Sequence, residues 1–262
     1  MAAAGFELVC EIEPPTRPDL KHVRHQIGVL SSVASTFLIP DNHIGRATVS
    51  SVAVAHEVEA MGGRSIACLN ARDRNLLGLQ RDLLTAAAYG VDQFLFVYGD
   101  EPRSGHRTSE LTVRAMLTEA RSFERGPDLS GAAKLRLGVV AGLGTLPSWK
   151  READFLFLQV GFSTERLLRW VERVQPQLPV YAGVIVLASS AMARNLAETI
   201  PDIEIPSSLA ELVDRDPGAG VEAACDLVLA VRDTRAFQGV HLIPVSRYRP
   251  VAARLEQMLS IR

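Results

Sequence analysis

A single (β/α)8 barrel, the TIM-barrel class of α/β fold, is what this sequence predicts, and three observations carry the prediction. The chain has 262 residues, close to the roughly 250 that one such barrel uses. Eight short apolar, β-rich runs recur along it, and longer helical patterns separate nearly all of them. That alternation is the mark of βαβ units around a parallel sheet. One domain, residues 1–262, is expected. A doubly wound open sheet is the competing arrangement of the same units.

The expected strands are Glu7–Glu13, Thr36–Ile39, Arg64–Asn70, Gln93–Val97, Leu135–Val140, Asp154–Gln159, Val180–Val184 and Gly239–Pro244. Helical patterns fall near Leu20–Ser31, Thr48–Ala60, Leu76–Tyr89, Ser109–Ser122, Thr164–Val174, Ser189–Thr199 and Gly220–Val231. Ser189 or Ser190, and Thr164, can cap helix starts, and Gly90 follows Tyr89 where a helix-ending glycine belongs. The crossover between the fifth and sixth strands is degenerate. Ala141–Ala153 carries Gly142, Gly144 and Pro147, which leave no room for a full helix. Gly126–Ala133 reads as a polar surface loop.

Composition narrows the function classes. Hydrophobic residues make up 47% and charged residues 22%, so there is ample material for a large core. Lys plus Arg number 28 against 30 Asp plus Glu, without a basic stripe, which argues against nucleic acid as a partner. No apolar run approaches the roughly 18 residues of a membrane span, and Met1–Phe6 lacks a basic start, so no membrane association and a cytoplasmic location are expected. Cys10, Cys68 and Cys225 are widely spaced and read as buried free thiols. The six histidines (22, 25, 43, 56, 106 and 241) show no metal-ligand spacing and read as surface residues, so no metal is expected.

In a barrel of this class chemistry sits where strands end at the C-terminal face. Glu11 and Glu13 flank Ile12 in the first run, and the two-residue period puts both carboxylates on one face. A carboxylate aimed at the barrel axis is costly unless paired or functional, and a structural ion pair with Arg72 or Arg74 is the plain alternative. Asp41 and Asn42 follow the second run, Asn70 ends the third, Asp100 follows the fourth and Gln159 ends the sixth. Any one of them can simply cap a turn or helix. Their arrival at one rim is the more informative fact. The segment GVVAGLG after the fifth run begins (residues 138–144) matches neither a P-loop nor GxGxxG in register.

These residues together resemble the methylenetetrahydrofolate reductase family, in order along nearly the whole chain. Cys10–Pro15, CEIEPP, is similar to the family's opening strand, and Asp41-Asn42 to a DN turn of one branch. Residues 68–84, CLNARDRNLLGLQRDLL, resemble that branch's RDRN segment and following helix. Phe94–Asp100, FLFVYGD, Ala153–Phe162 and Val180–Ser190 resemble its fourth, sixth and seventh strands with their turns. The resemblance implies a barrel enzyme of one-carbon metabolism and methionine biosynthesis, an oxidoreductase that reduces methylenetetrahydrofolate to methyltetrahydrofolate with hydride from NADH or NADPH. Glu11 would then be the catalytic acid, Asp100 a pterin contact, and Gln159 and Asn70 further folate contacts. Asp41, Asn42, Arg72 and Lys150 would lie with the cofactor.

The family usually carries FAD between the nicotinamide and the folate, and here the chain departs from it. Tyr98 stands where an Arg often precedes the GD pair, Cys68 where a His is common, and Arg107-Thr108 where a Tyr-Ala pair is usual. Ser190 replaces an aromatic residue, and Ala141–Ala153 lacks the helix that helps to hold the flavin. The expectation is therefore direct hydride transfer from NAD(P)H to a reduced folate without flavin. A conventional FAD enzyme with altered contacts and a non-catalytic folate-binding barrel are the alternatives.

Overall fold

The computed structural model describes residues 5–260. Its eight strands are β1 (Glu7–Glu11), β2 (Thr36–Ile39), β3 (Arg64–Asn70), β4 (Gln93–Val97), β5 (Arg136–Ala141), β6 (Phe155–Val160), β7 (Val180–Ile185) and β8 (Gly239–Ile243). They pair in parallel in sequence order and β8 closes on β1, so the sheet is a closed barrel and not an open doubly wound one. Parallel neighbours require crossovers, and helices supply them: α1 (Lys21–Leu30), α2 (Ser51–Ala60), α3 (Leu76–Ala88), α4 (Val113–Glu124), α5 (Thr164–Val174), α6 (Ser190–Thr199), α7 (Ser207–Arg215) and α8 (Ala219–Thr234), with α9 (Tyr248–Ser260) after β8. Between β5 and β6 there is only a 3-10 turn, Ser148–Glu152, so the degenerate crossover is real. Trp170 Nε1 donates to the Gly144 carbonyl at 3.0 Å and fastens that short connection to α5.

Local chemistry explains most boundaries. Ser189 caps α6 by accepting from the Met192 amide, and Gly90 holds φ +74° after α3, a conformation that costs a β-carbon-bearing residue energy. For α5 the cap is Ser163 and not Thr164, and α4 starts at Val113 behind a Thr112 cap, later than the hydrophobic pattern suggests. Two helices go beyond the expected set. In α9, Pro250 sits in the first turn, where its missing N–H has no helical acceptor to lose; α7 follows Pro206 and buries only Val213. Residues 126–133 form more than a loop, since a 3-10 turn at Pro127–Leu129 buries Leu129. Among the described residues no helix is long and apolar enough to cross a membrane.

Alternate strand residues fill the barrel interior: Val9, Leu38, Ile66, Cys68, Leu95, Phe155, Phe157 and Tyr181 form one buried cluster. Gly138 belongs to this packing, because a β-carbon there would lie 2.1 Å from the Phe155 ring. The first glycine of the GVVAGLG segment thus makes room for an aromatic. The intervening residues face the helices and form the larger core. All three cysteines are buried and free.

The N-terminal end of the barrel is closed by polar contacts. Glu7 accepts from Tyr181 Oη at 2.6 Å, from Arg64 Nη2 at 2.8 Å and from Thr36 Oγ1. Burial and the Glu7 bond push the Tyr181 hydroxyl up to about 12. A cavity of ≈ 580 Å³ opens beside this layer, against Arg136, Val228 and Leu255. The cavity lies at the end that serves stability in such barrels, opposite the face where their chemistry sits.

Candidate functional site at the C-terminal mouth

Glu11 is the last residue of β1 and points inward, two places beyond Val9 on the same face. Val9 pairs with His241 of β8, so His241 is the diagonal neighbour of Glu11 inside the barrel. The His241 Nε2 lies 3.2 Å from Glu11 Oε2, with side chains 10% and 19% exposed respectively. The contact is close enough for an ion pair, but its angles fall short of a hydrogen bond, which leaves Nε2 buried without one. Phe157 stands beside the imidazole with ring centroids 5.1 Å apart. Cys68 lies on the other side: burial, then the charges of Glu11 and Asp41, raise its thiol well above the ordinary range. A carboxylate, an imidazole and a thiol therefore sit together on the inner face of the barrel, next to the apolar interior cluster.

Three sequence readings change here. The partner of Glu11 is His241, not Arg72 or Arg74, both of which are held elsewhere. His241 is buried, not a surface residue. Glu13 is not on the barrel face: β1 ends at Glu11, and Glu13 sits 53% exposed with an oxygen 3.9 Å from His43 Nε2.

The RDRN segment builds a polar clasp over the ends of β2 and β3. Asp41 Oδ2 accepts from the Asn70 backbone N–H at 3.0 Å, from Asn70 Nδ2 at 2.6 Å and from Arg74 Nη1. Arg74 also donates to Asp82 Oδ2 at 2.9 Å. Asn70 Oδ1 accepts the Asp73 N–H at 2.9 Å, so its amide is engaged at both ends. Arg72, only 2% exposed, binds Asp73 and the Asp100 carbonyl. The Arg72 guanidinium holds the Asp73 carboxyl down at about 2. Thr108 locks the segment from above, its N–H donating to the Arg72 carbonyl at 2.8 Å and its Oγ1 to the Arg74 carbonyl at 2.7 Å.

The remaining candidates line the rim. Asn42 accepts from the Thr48 N–H and donates to Asp73 Oδ2, both at 3.0 Å. Asp100 Oδ2 accepts the Ile44 N–H at 2.6 Å, while Oδ1 accepts no hydrogen bond among the described residues. This contact joins the β2 loop to the β4 loop, and Gly45 permits the approach: at φ +66°, a β-carbon there would lie 2.0 Å from the Glu101 carbonyl oxygen. Gln159 ends the inward face of β6, half-buried and beside Gly142, and makes no hydrogen bond among the described residues. Lys150 Nζ donates to the Val140 carbonyl at 2.7 Å, and burial lowers its pKa. Tyr98 is exposed and its hydroxyl accepts from Arg107, which also pairs with Glu101. The structure thus gathers Glu11, Gln159 and the missed His241 inside the mouth, with Asp100 on its rim. Asp41, Asn42, Asn70 and Arg72 form the supporting clasp.

No family model and no curated protein matches this sequence. Solved structures do. An uncharacterized protein from Clostridium thermocellum that binds two copies of 5-methyl-5,6,7,8-tetrahydrofolic acid superimposes with a TM-score of 0.69 at 11% identity, over 99% of this chain and 97% of that one. The likeness is one of fold. Dihydropteroate synthase from Stenotrophomonas maltophilia follows the same path with a TM-score of 0.54 at 13% identity, over 100% and 94% of the two chains. So does a long-chain alkane monooxygenase, at 0.59 and 9% over 99% and 92%. Barrels with such different activities and ligands share this architecture, so fold alone does not give the function, and the residues of the mouth carry it.

Proposed function

We propose that this protein reduces methylenetetrahydrofolate to methyltetrahydrofolate, taking hydride directly from NADH or NADPH. The observation that carries the reading is Glu11: a carboxyl group on the inner face of an apolar barrel, at the reactive end, 19% exposed and, among the described residues, free of any Arg or Lys partner. Such a group can protonate a ring nitrogen of the bridged folate and release the electrophilic iminium carbon. The free Asp100 Oδ1 can accept from an amino-pyrimidine edge, and the unpartnered Gln159 amide can both donate and accept. The family resemblance of residues 10–190 and the folate bound by the Clostridium barrel support the same substrate class.

The flavin-free reading is supported by the residues that depart from the flavin-binding pattern. Tyr98 and Cys68 bring neither the guanidinium nor the imidazole of the flavin-binding pattern. Without flavin, nicotinamide and folate have to be bound together with reacting carbons about 3–3.5 Å apart.

The test is NADH and NADPH oxidation by the purified protein with methylenetetrahydrofolate. Folate-dependent oxidation yielding methyltetrahydrofolate, from protein without visible flavin absorbance, supports the reading. Folate binding without turnover would make the chain a binding barrel, and turnover that requires added FAD would restore the flavin enzyme.

A further inference from the structure

Each turnover of the proposed reaction consumes one proton as well as one hydride. The hydride forms the new C–H bond at the methylene carbon, a C–N bond of the bridge breaks, and the freed electron pair on nitrogen takes the proton of Glu11. Glu11 is left as a carboxylate and cannot act again until a proton returns. Among the described residues His241 is the only Lys, Arg or His side chain within 4 Å of it. Cys68 also faces Glu11, and its burial pushes the thiol well above the ordinary range.

From this we propose, resting on the reductase reading above, that His241 is the positioning and proton-return residue of Glu11. Once a turn of the ring aligns the 3.2 Å contact, Nε2 of the imidazolium gives its proton to the carboxylate, and the imidazole regains one from water at the mouth. Among the described residues Nε2 has no competing hydrogen bond and Glu11 as its close charged partner, and the Phe157 ring of β6 packs beside the imidazole. The cross-strand register places the pair on adjacent strands that the barrel closure brings together, so no loop has to order first. Nε2 itself is buried against Glu11, and the 10% of the His241 side chain that is exposed lies elsewhere on it, so the proton is regained from the side of the ring away from Glu11.

Four measurements test this. His241→Ala and His241→Gln should lower kcat by about 10- to 100-fold, within the usual range of proton-transfer assistance, while KM for the folate moves less than about threefold. His241→Gln should do no better than His241→Ala, since an amide keeps a polar contact but cannot pass a proton. Free imidazole should restore kcat of His241→Ala by about fivefold or more and leave Glu11→Gln unchanged. The His241→Ala/Glu11→Gln double variant should be no slower than Glu11→Gln alone. Full activity in folded His241→Gln, or a loss confined to KM, would overturn the proposal. Wild-type protein inert with either nicotinamide would instead sink the reductase reading. The pair is then judged by NMR: a slowly exchanging imidazole N–H resonance that disappears in Glu11→Ala supports a shared proton, and one unchanged in Glu11→Ala contradicts it.

Discussion

Asp41 is the residue whose loss the structure prices most directly. Its Oδ2 gathers three donors: the Asn70 N–H, the Asn70 amide and Arg74. In Asp41→Ala the Asn70 side chain keeps Asp73 at 3.1 Å, and Arg74 keeps Asp82 at 2.9 Å. The Asn70 backbone N–H keeps nothing, and Asn70 is fully buried. An orphaned buried donor costs about 1–3 kcal/mol. Breaking a buried ion pair costs about 3–5 kcal/mol when the surviving charge is stranded, and less here because Asp82 remains. The sum is a loss of about 3 kcal/mol, read as a lower urea midpoint with an unchanged m-value. A loss below about 1 kcal/mol in a properly folded variant would refute the clasp as a structural unit and return Asp41 to the list of ligand-binding groups.

Other outcomes follow from the same geometry. Glu11→Gln should cut turnover by at least about 10²-fold with the fold intact, and a variant keeping more than roughly a tenth of wild-type activity would remove Glu11 as the acid; Glu13→Gln, on an exposed residue, should be far milder. Asp100→Ala or Gln159→Ala should weaken folate binding about ten- to a hundredfold with NAD(P)H affinity unchanged, and titration calorimetry showing intact folate affinity in both would take them out of the site. The Arg72 guanidinium holds the Asp73 carboxyl at about 2, below the usual carboxylate range, so the stability it contributes is present above about pH 4 and lost as pH falls toward 2. Acid unfolding of Asp73→Asn should therefore show a shallower pH dependence in that window than wild type, and identical curves would count against the Arg72 pairing.

The barrel was legible because a closed parallel sheet writes itself as alternating apolar runs and crossovers, and even the helix-poor link at 141–153 showed in its glycines and proline. The site was half legible. Glu11, Asp100 and Gln159 stand out as polar residues at strand ends, but so do Asp41 and Asn70, whose partners Arg74 and Asp73 are fixed only in three dimensions. His241 escaped because it sits within an apolar run, GVHLI, with no metal-ligand spacing to mark it. Its signal was available in combination: closure places β8 next to β1, and the two-residue period points His241 and Glu11 at the same interior. Glu13 misled by the same periodicity, because the strand stops at Glu11.

Direct hydride transfer to a folate is the central claim, and the fate of a labelled hydride tests it most closely. The protein is given methylenetetrahydrofolate and NADH or NADPH carrying deuterium at the transferred C4 position, in ordinary water. The account predicts that the deuterium appears in the methyl group of the product, undiluted by solvent hydrogen. A methyl group that has lost the label to solvent would reveal an intervening carrier, and the absence of a methylated product would contradict the account altogether.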